Sequence, residues 1–564
     1  MSSQNTPAAG EHPGIRPDSR LTRDLATTYE TGGQWTSQTL TSLLADAAVA
    51  HPELTAAVDS AGPGGSRRAM TYAELDAYVT DLAVGLRARG VTEGDSVVVM
   101  LPNCIEFAAL IFAINRAGAV YTGIPVAYGT KEVRHILAST GAKVVVTQER
   151  VASATPLEVV RASYGEAAPL VVVRGDSGRG EGEIALGDLA VPAADGARLP
   201  DVLPTVDPRG LCHIGFTSGT TGAPKGVMNT NQTLIAVLRN WLAYFGAENL
   251  GAPMVNAVVS PVGHHSGFLW GVLMTAYLRG TAVYLEKWSP ATAATFLREE
   301  GATVFFGAPT FLQDLLTTDL VGDPRCALRA VITTGSPVPR ALPGAGRSAF
   351  GCWVGSAWGM TEIGIGISCR PGMSDPELAS DGRAVPGVEV RIVGTDGEPV
   401  AADTPGRMQV RSAGLFLGYQ GLPDRTREEI DAEGWFDTGD TARIDENQLV
   451  YLEGRSKDIV IRGGENIPVV AVESVLYTHP DVVEVAVVGV PDERLGERAC
   501  AVVHSRTDDL TLDELNRHLL DSGVSRHFLP ERLVLVPSLP KTPSGKIRKV
   551  ELRQRLALVE TAPQ

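Results

Sequence analysis

From Trp35 to about Ala442, short runs of β-branched residues alternate with stretches of helical periodicity. The apolar runs include 96–100 (SVVVM), 143–147 (KVVVT), 170–174 (LVVVR) and 211–216 (LCHIGF). Runs that are apolar at consecutive positions belong in sheets covered on both faces, and strands alternating with helices imply parallel sheets. Between 388 and 451 the pattern turns sheet-rich, with turn signals at Thr395-Asp396-Gly397 and Asp445-Glu446-Asn447. After Gly454-Arg455 it changes again. A helical stretch at 469–477 precedes a strand at 482–490. Thr511 and Glu514 then form a capping box that opens a helix, and a strand at 533–536 leads into a Pro- and Lys-rich end. The pattern predicts an α/β fold. Residues 1–20 read as a disordered leader. Residues 21–454 form a large N-terminal domain of two parallel-rich sheets with helices plus a small β-rich subdomain, and 455–564 form a separate α+β domain.

Composition narrows the partners. At 564 residues the chain exceeds one ordinary core, and 44% hydrophobic with 20% charged residues is a common globular balance. A formal net charge of -16 argues against a nucleic-acid binder, so an anionic ligand must be held by local donors against the overall field. The six cysteines (Cys104, Cys212, Cys326, Cys352, Cys369, Cys500) are scattered without a C-x-x-C pair, as expected of free thiols in a reducing cytosol. The polar start lacks the apolar core of a signal peptide, and no stretch of ~18 uninterrupted apolar residues occurs. The expectation is a soluble, cytoplasmic protein without membrane insertion.

The most informative segment is Thr217-Ser218-Gly219-Thr220-Thr221-Gly222-Ala223-Pro224-Lys225-Gly226. Glycine lets backbone N–H groups approach an anion, hydroxyls add donors, and Lys225 adds charge. It is not a Walker A loop, because Pro224 stands where that pattern requires glycine before the lysine. A generic Ser/Thr/Gly cluster is usually a surface turn. The full string, behind the strand at 211–216 and ahead of a helical stretch at 232–245, points instead to a phosphate cradle.

The string resembles the signature of the acyl-adenylate-forming superfamily, which includes acyl-CoA synthetases, peptide-synthetase adenylation domains and luciferases. The resemblance runs from about residue 35 to 555 and recurs at five or more motifs in the family's order. It implies an AMP-binding N-terminal domain, a mobile C-terminal lid and ATP-dependent adenylation of an acid. In Gly355-Ser-Ala-Trp358-Gly359-Met360-Thr361-Glu362 it implies an adenine platform at Trp358, although a lone tryptophan is more often core, and a Mg²⁺ ligand at Glu362, with Thr361 beside it. Gly335 and Ser336 match a second nucleotide-facing strand end. Asp440 matches the carboxylate that accepts both ribose hydroxyls, and Arg455 a ribose or phosphate contact. Lys546 matches the catalytic lysine, a cation that lets carboxylate and α-phosphate meet. Lys457 matches the hinge, and Gly463-Gly464 a slot for a pantetheine arm. Lys541 is expected to be simply solvated.

Pro261-Val-Gly-His264-His265-Ser-Gly-Phe268 matches the family's substrate-pocket segment. Relatives that adenylate amino acids carry an Asp there and this chain has none, so an amino acid is not expected. His264 resembles the residue that closes the pocket; His265 is expected to be non-catalytic. Phe268, Trp270, Phe306, Gly307 and Gly335 are lining candidates, with a core role equally open for the aromatics. The motifs most resemble the cyclohexanecarboxylate- and medium-chain-acid–CoA ligase branch. The implied reaction uses ATP and Mg²⁺ to make an acyl-adenylate from a small-molecule acid, with coenzyme A as second substrate. Two other endings share the first half-reaction: transfer to a carrier protein, or activation of nitrite to diazotise an arylamine. A non-catalytic nucleotide-binding role is a third class, opposed by retention of Lys546, Glu362, Asp440 and the loop. A homodimer is compatible with the sequence.

Overall fold

The computed structural model describes residues 16, 18–60, 66–165, 168–175, 179–192, 203–217, 224–455, 458, 460–462, 465–492, 494–542 and 545–560. Two large sheets dominate the first three quarters of the chain. One has nine strands: Ala330–Thr333, Val304–Gly307, Val255–Val258 and Thr281–Tyr284 form its parallel centre, and antiparallel strands close both ends. The other has seven strands, with Ser96–Met100, Val120–Gly123, Val144–Gln148 and Leu170–Arg174 mutually parallel and Leu211–Thr217 beside Val120–Gly123.

The all-apolar runs seen in the sequence are these central strands. Ser96–Met100 is buried at all five positions, which requires cover on both faces. Val97 and Val99 of one sheet, and Ala282, Tyr284 and Val304 of the other, share one apolar core. Helices Tyr72–Ala88, Ile105–Arg116 and Asn231–Phe245 fill that core. Thr71 and Thr230 start two of these helices with capping boxes, satisfying amide donors that would otherwise be orphaned.

Val388–Val393, Gly406–Ser412, Phe436–Ile444 and Val450–Arg455 make a four-stranded antiparallel sheet. From Val460 onward the chain builds a five-stranded sheet around the long hairpin Val482–Asp492 and Gly496–Ser505. Period-two alternation lets that hairpin bury both faces. Val485, Val487 and Ala501 pack against helices Val469–Leu476 and Leu512–Asp521, while Ala486, Val488 and Val502 meet Leu552 of the last helix. The predicted capping box is present, with Thr511 accepting from the Glu514 amide.

Of the expected leader, residues 1–15 and 17 lie outside the described residues. At its end, Arg20 Nε donates to the Phe416 carbonyl at 2.8 Å, and Asp18 accepts from the Gly421 amide at 2.9 Å. A buried guanidinium needs such carbonyl partners, and composition alone does not reveal them. Lys541 is not merely solvated, since its ammonium pairs with Glu484. Among the described residues no helix is long and apolar enough to cross a membrane, and the six cysteines are unpaired.

Candidate active site

Strand Leu211–Thr217 delivers Thr217 to one edge of the site, and Lys225 lies opposite it in antiparallel register. The phosphate-loop string therefore joins two strands of a hairpin; the strand Lys225–Thr230 stands between it and the helix. Ser218, Gly219, Thr220, Thr221 and Gly222 lie outside the described residues. The Lys225 ammonium sits 3.2 and 3.4 Å from the two Glu429 carboxylate oxygens and 4.0 Å from the centre of the Tyr419 ring. The Tyr419 hydroxyl lies 3.1 Å from Glu362 Oε1 and 2.5 Å from Glu429 Oε2. Arg425 also pairs with Glu429. Burial pushes the Glu362 carboxyl up, against the opposing pull of Lys225.

A second edge comes from the antiparallel pair in which Asp440 and Arg455 are register partners. Asp440 is buried. It accepts from the indole N–H of Trp358 at 2.9 Å and pairs with Arg455 Nε at 3.3 Å. Burial raises its carboxyl and Arg455 resists that shift. Trp358, for which the sequence left both an adenine platform and a core role open, is buried. Its ring is packed among Ile363, Ile367 and Met408, and its polar edge serves Asp440. An indole N–H buried beside a carboxylate finds its partner there, as buried tryptophans usually do. Met360 packs partly buried against the same cluster, and Gly359 sits where a Cβ would fall 1.9 Å from the Gly364 carbonyl.

The third edge is Lys546. Its amide donates to Thr542 Oγ1 at 3.1 Å and its carbonyl accepts from the Thr542 amide at 2.7 Å, closing a tight loop. Gly545 has φ +83°, and a Cβ there would lie 2.8 Å from Thr310 Oγ1. Gly335, with φ +92°, is the close neighbour of the lysine: a Cβ on it would stand 3.7 Å from Lys546 Cε. Burial and the adjacent Arg455 bring the Lys546 ammonium down to about 8, opposed by Asp440 and Glu362. Lys546, Gly335, Asp440, Arg455 and Glu362 therefore converge on one place. Ser336 follows Gly335 at the same strand end.

The segment that carries His264 is clamped from below. Asn103 donates to the carbonyls of Val258 and Ser260, each at 3.1 Å, and accepts from the Val262 amide at 2.8 Å. Beyond it, Gly267–Leu273 is a π-helical turn, a form that often marks functional sites. His264 Nδ1 lies 2.9 Å from Ser266 Oγ. Its ring is brought down to about 3, first by burial and then by Lys546 and His265. His265 is buried, as are Phe268 and His213, and the His213 ring stacks on Phe268 at 4.4 Å. Trp270 and Phe306 are core rather than lining: they stack on each other at 5.4 Å and both pack on Trp241. A Cβ on Gly307 would meet Phe305 and Phe311.

The model of the AMP-binding enzyme family matches residues 44–420, and that of the AMP-binding enzyme C-terminal domain matches 471–546. The chain belongs to the AMP-binding enzyme family. Its relatives include the medium-chain fatty-acid–CoA ligase of Escherichia coli K12, 31% identical over 93% of this chain and 92% of that protein. The salicyl-AMP ligase / salicyl-S-ArCP synthetase of Mycobacterium tuberculosis H37Rv is 31% identical over 95% and 94%. ATP-bound MatB of Rhodopseudomonas palustris superposes with a TM-score of 0.80 at 28% identity, covering 93% of this chain and 100% of the other.

The residues present fit the ligands of an AMP-binding enzyme. Among the described residues no three His, Cys, Asp or Glu side chains cluster as a metal cage. Mg²⁺ commonly takes one or two carboxylates and completes its shell with phosphate oxygens and water. Glu362 can supply such a carboxylate, and Asp440 can accept two hydroxyls of a ribose. Lys457 and the Gly463-Gly464 pair lie outside the described residues. Sequence reasoning missed Tyr419, Glu429, Asn103, Thr310 and His213. For His213 a signal existed: period-two alternation places it on the same strand face as Gly215 and Thr217. Glu429 has none, because its contact with Lys225 spans 204 positions.

Proposed function

We propose that this AMP-binding enzyme is an AMP-forming acid–CoA ligase working in the cytoplasm. A small carboxylic acid attacks the α-phosphorus of ATP, pyrophosphate leaves, and the thiol of coenzyme A then displaces AMP from the acyl-adenylate. The observation that carries this reading is the meeting of Lys546 with Gly335, Asp440 and Glu362. A cation at that point offsets the repulsion between a carboxylate and a phosphate, and such transfers depend mostly on positioning and electrostatics. The loop from Thr217 to Lys225 would hold the phosphates, and Asp440 with Arg455 the ribose. Glu362 would hold Mg²⁺, whose charge stabilises the departing pyrophosphate when bound. His264 would close the acid pocket. We place the pivot between 21–454 and 455–564 near Lys457, so that Gly463-Gly464 can replace Lys546 at the site for the second half-reaction.

The test is pyrophosphate release over aliphatic acids, aromatic acids and nitrite, each with and without coenzyme A. An acyl-CoA product with one acid class supports the reading. Exchange that proceeds with an acid but yields no thioester points instead to a carrier protein as acceptor, the ending named for the salicyl-AMP ligase relative. Turnover with nitrite alone overturns the acid ligase.

A further inference from the structure

The strand that leads to the phosphate loop carries a polar group where an apolar wall is expected. Its side chains alternate: Ile214 and Phe216 enter the outer core, while His213, Gly215 and Thr217 share the opposite face. Gly215 has no side chain, and the imidazole of His213 and the methyl of Thr361 occupy that level of the face. A Cβ there would stand 2.8 Å from His213 Cε1 and 3.0 Å from Thr361 Cγ2, so the imidazole leans back to the Gly215 level. That level is two strand residues, about 7 Å, short of Thr217.

Around this point the packing is aromatic. The His213 ring packs against Phe268 (4.4 Å) and Tyr121 (5.4 Å), which also touch each other at 5.2 Å, with His265 at 5.5 Å. Tyr121 is satisfied by the Val262 carbonyl at 3.2 Å. The two imidazoles are not: Nδ1 of His213 and Nδ1 of His265 are both buried without a hydrogen-bond partner, and the residues are only 2% and 8% exposed. Burial holds both rings well below the ordinary histidine value, so each is neutral and offers one donor and one acceptor. Buried polar atoms in native proteins nearly always have partners, and two orphaned imidazole nitrogens side by side call for an ordered water or a ligand group between them.

We propose that His213 and His265 read a hydrogen-bonding group (hydroxyl, amino or carbonyl) at the far end of a small acid, and that plain alkanoic acids are discriminated against. This rests on the ligase reading above and names its substrate class. A pocket built to bond a polar substituent rejects the analogue that lacks it, because its own buried groups are then left unpaired.

The experiment is ATP–pyrophosphate exchange with matched pairs: benzoate against its 2-, 3- and 4-hydroxy derivatives, and pentanoate against 4-oxopentanoate. The wild-type enzyme should favour a polar member by roughly 10²-fold or more in kcat/KM. His213→Phe keeps the stack with Phe268 and Tyr121 but removes both nitrogens. It should erase most of that preference, while the melting temperature of the ligand-free protein stays level or rises, since an unpartnered group has been removed. Faster exchange with benzoate and pentanoate than with every polar counterpart would overturn the inference and leave the ligase intact. So would a polar preference that survives in both His213→Phe and His265→Phe. Absence of exchange with any acid would overturn the ligase reading, and the inference with it.

Discussion

Gly545 offers a way to disturb the placement of Lys546 without touching its charge. Its φ of +83° lies in the left-handed region, where an L residue is disfavoured by roughly 1–2 kcal/mol. A methyl group at that position would also press to 2.8 Å from Thr310 Oγ1 and 3.1 Å from Ala308 Cβ. With overpacking of that kind, Gly545→Ala should destabilise the docked loop by about 2–3 kcal/mol in total. If adenylation requires the docked loop, ATP–pyrophosphate exchange falls roughly 30- to 150-fold. The second half-reaction, started from supplied acyl-adenylate and coenzyme A, should stay within about twofold of wild type if, as proposed, Gly463-Gly464 replace Lys546 for that step. Adding Thr310→Ala removes the closest collision and should restore exchange about fivefold, leaving the backbone penalty and the 3.1 Å approach to Ala308 Cβ. Rapid-quench assays of each half-reaction separate these outcomes. Exchange in Gly545→Ala equal to wild type would refute the reasoning, as would equal slowing of both half-reactions.

Removing the ammonium itself, in Lys546→Ala, should lower exchange ~10²–10³-fold in the same assay. Because Lys546 sits at about 8 and must be charged to act, activity is full below that value. As measured by kcat/KM for ATP, it should fall as pH rises through it; Lys546→Arg, with a pKa above about 12, should abolish that alkaline limb. Tyr419→Phe deletes the hydroxyl that contacts Glu362 while keeping the ring beneath Lys225; titration of Mn²⁺ with ATP by electron paramagnetic resonance should show metal affinity reduced roughly 10–100-fold. Trp358→Phe removes the 2.9 Å bond to Asp440, and calorimetry should register ATP binding weaker by about 1.5–3 kcal/mol.

The parallel strands were legible in the sequence because their burial is two-sided. Runs such as 96–100 and 170–174 coincide with the strands Ser96–Met100 and Leu170–Arg174. The capping box at Thr511 was readable for an equally local reason, since both partners lie within one turn. The strand Lys225–Thr230 was not legible: it is short, contains glycine, asparagine and threonine, and is held by pairing with Leu211–Thr217 rather than by its own propensity. The same limit applies at the site. Individual motifs mark Glu362, Asp440 and Lys546, but the bond from Trp358 to Asp440 spans 82 positions and exists only after folding. Aromatic residues posed the remaining ambiguity. Trp270 and Phe306 look like lining or core from composition, and only their mutual stacking decides for core.

The pairing of Lys225 with Glu429 bears on how a nucleotide arrives. A polyanion diffusing toward a molecule of net charge -16 meets repulsion at long range, and the loop lysine is already neutralised by a carboxylate at 3.2 Å. Capture must then come from collisions that happen to be well aligned, with Lys225 exchanging its carboxylate for a phosphate at the last moment. Added electrolyte would shield the repulsion within a Debye length, so ATP association should quicken with ionic strength, opposite to an enzyme whose field funnels its ligand inward.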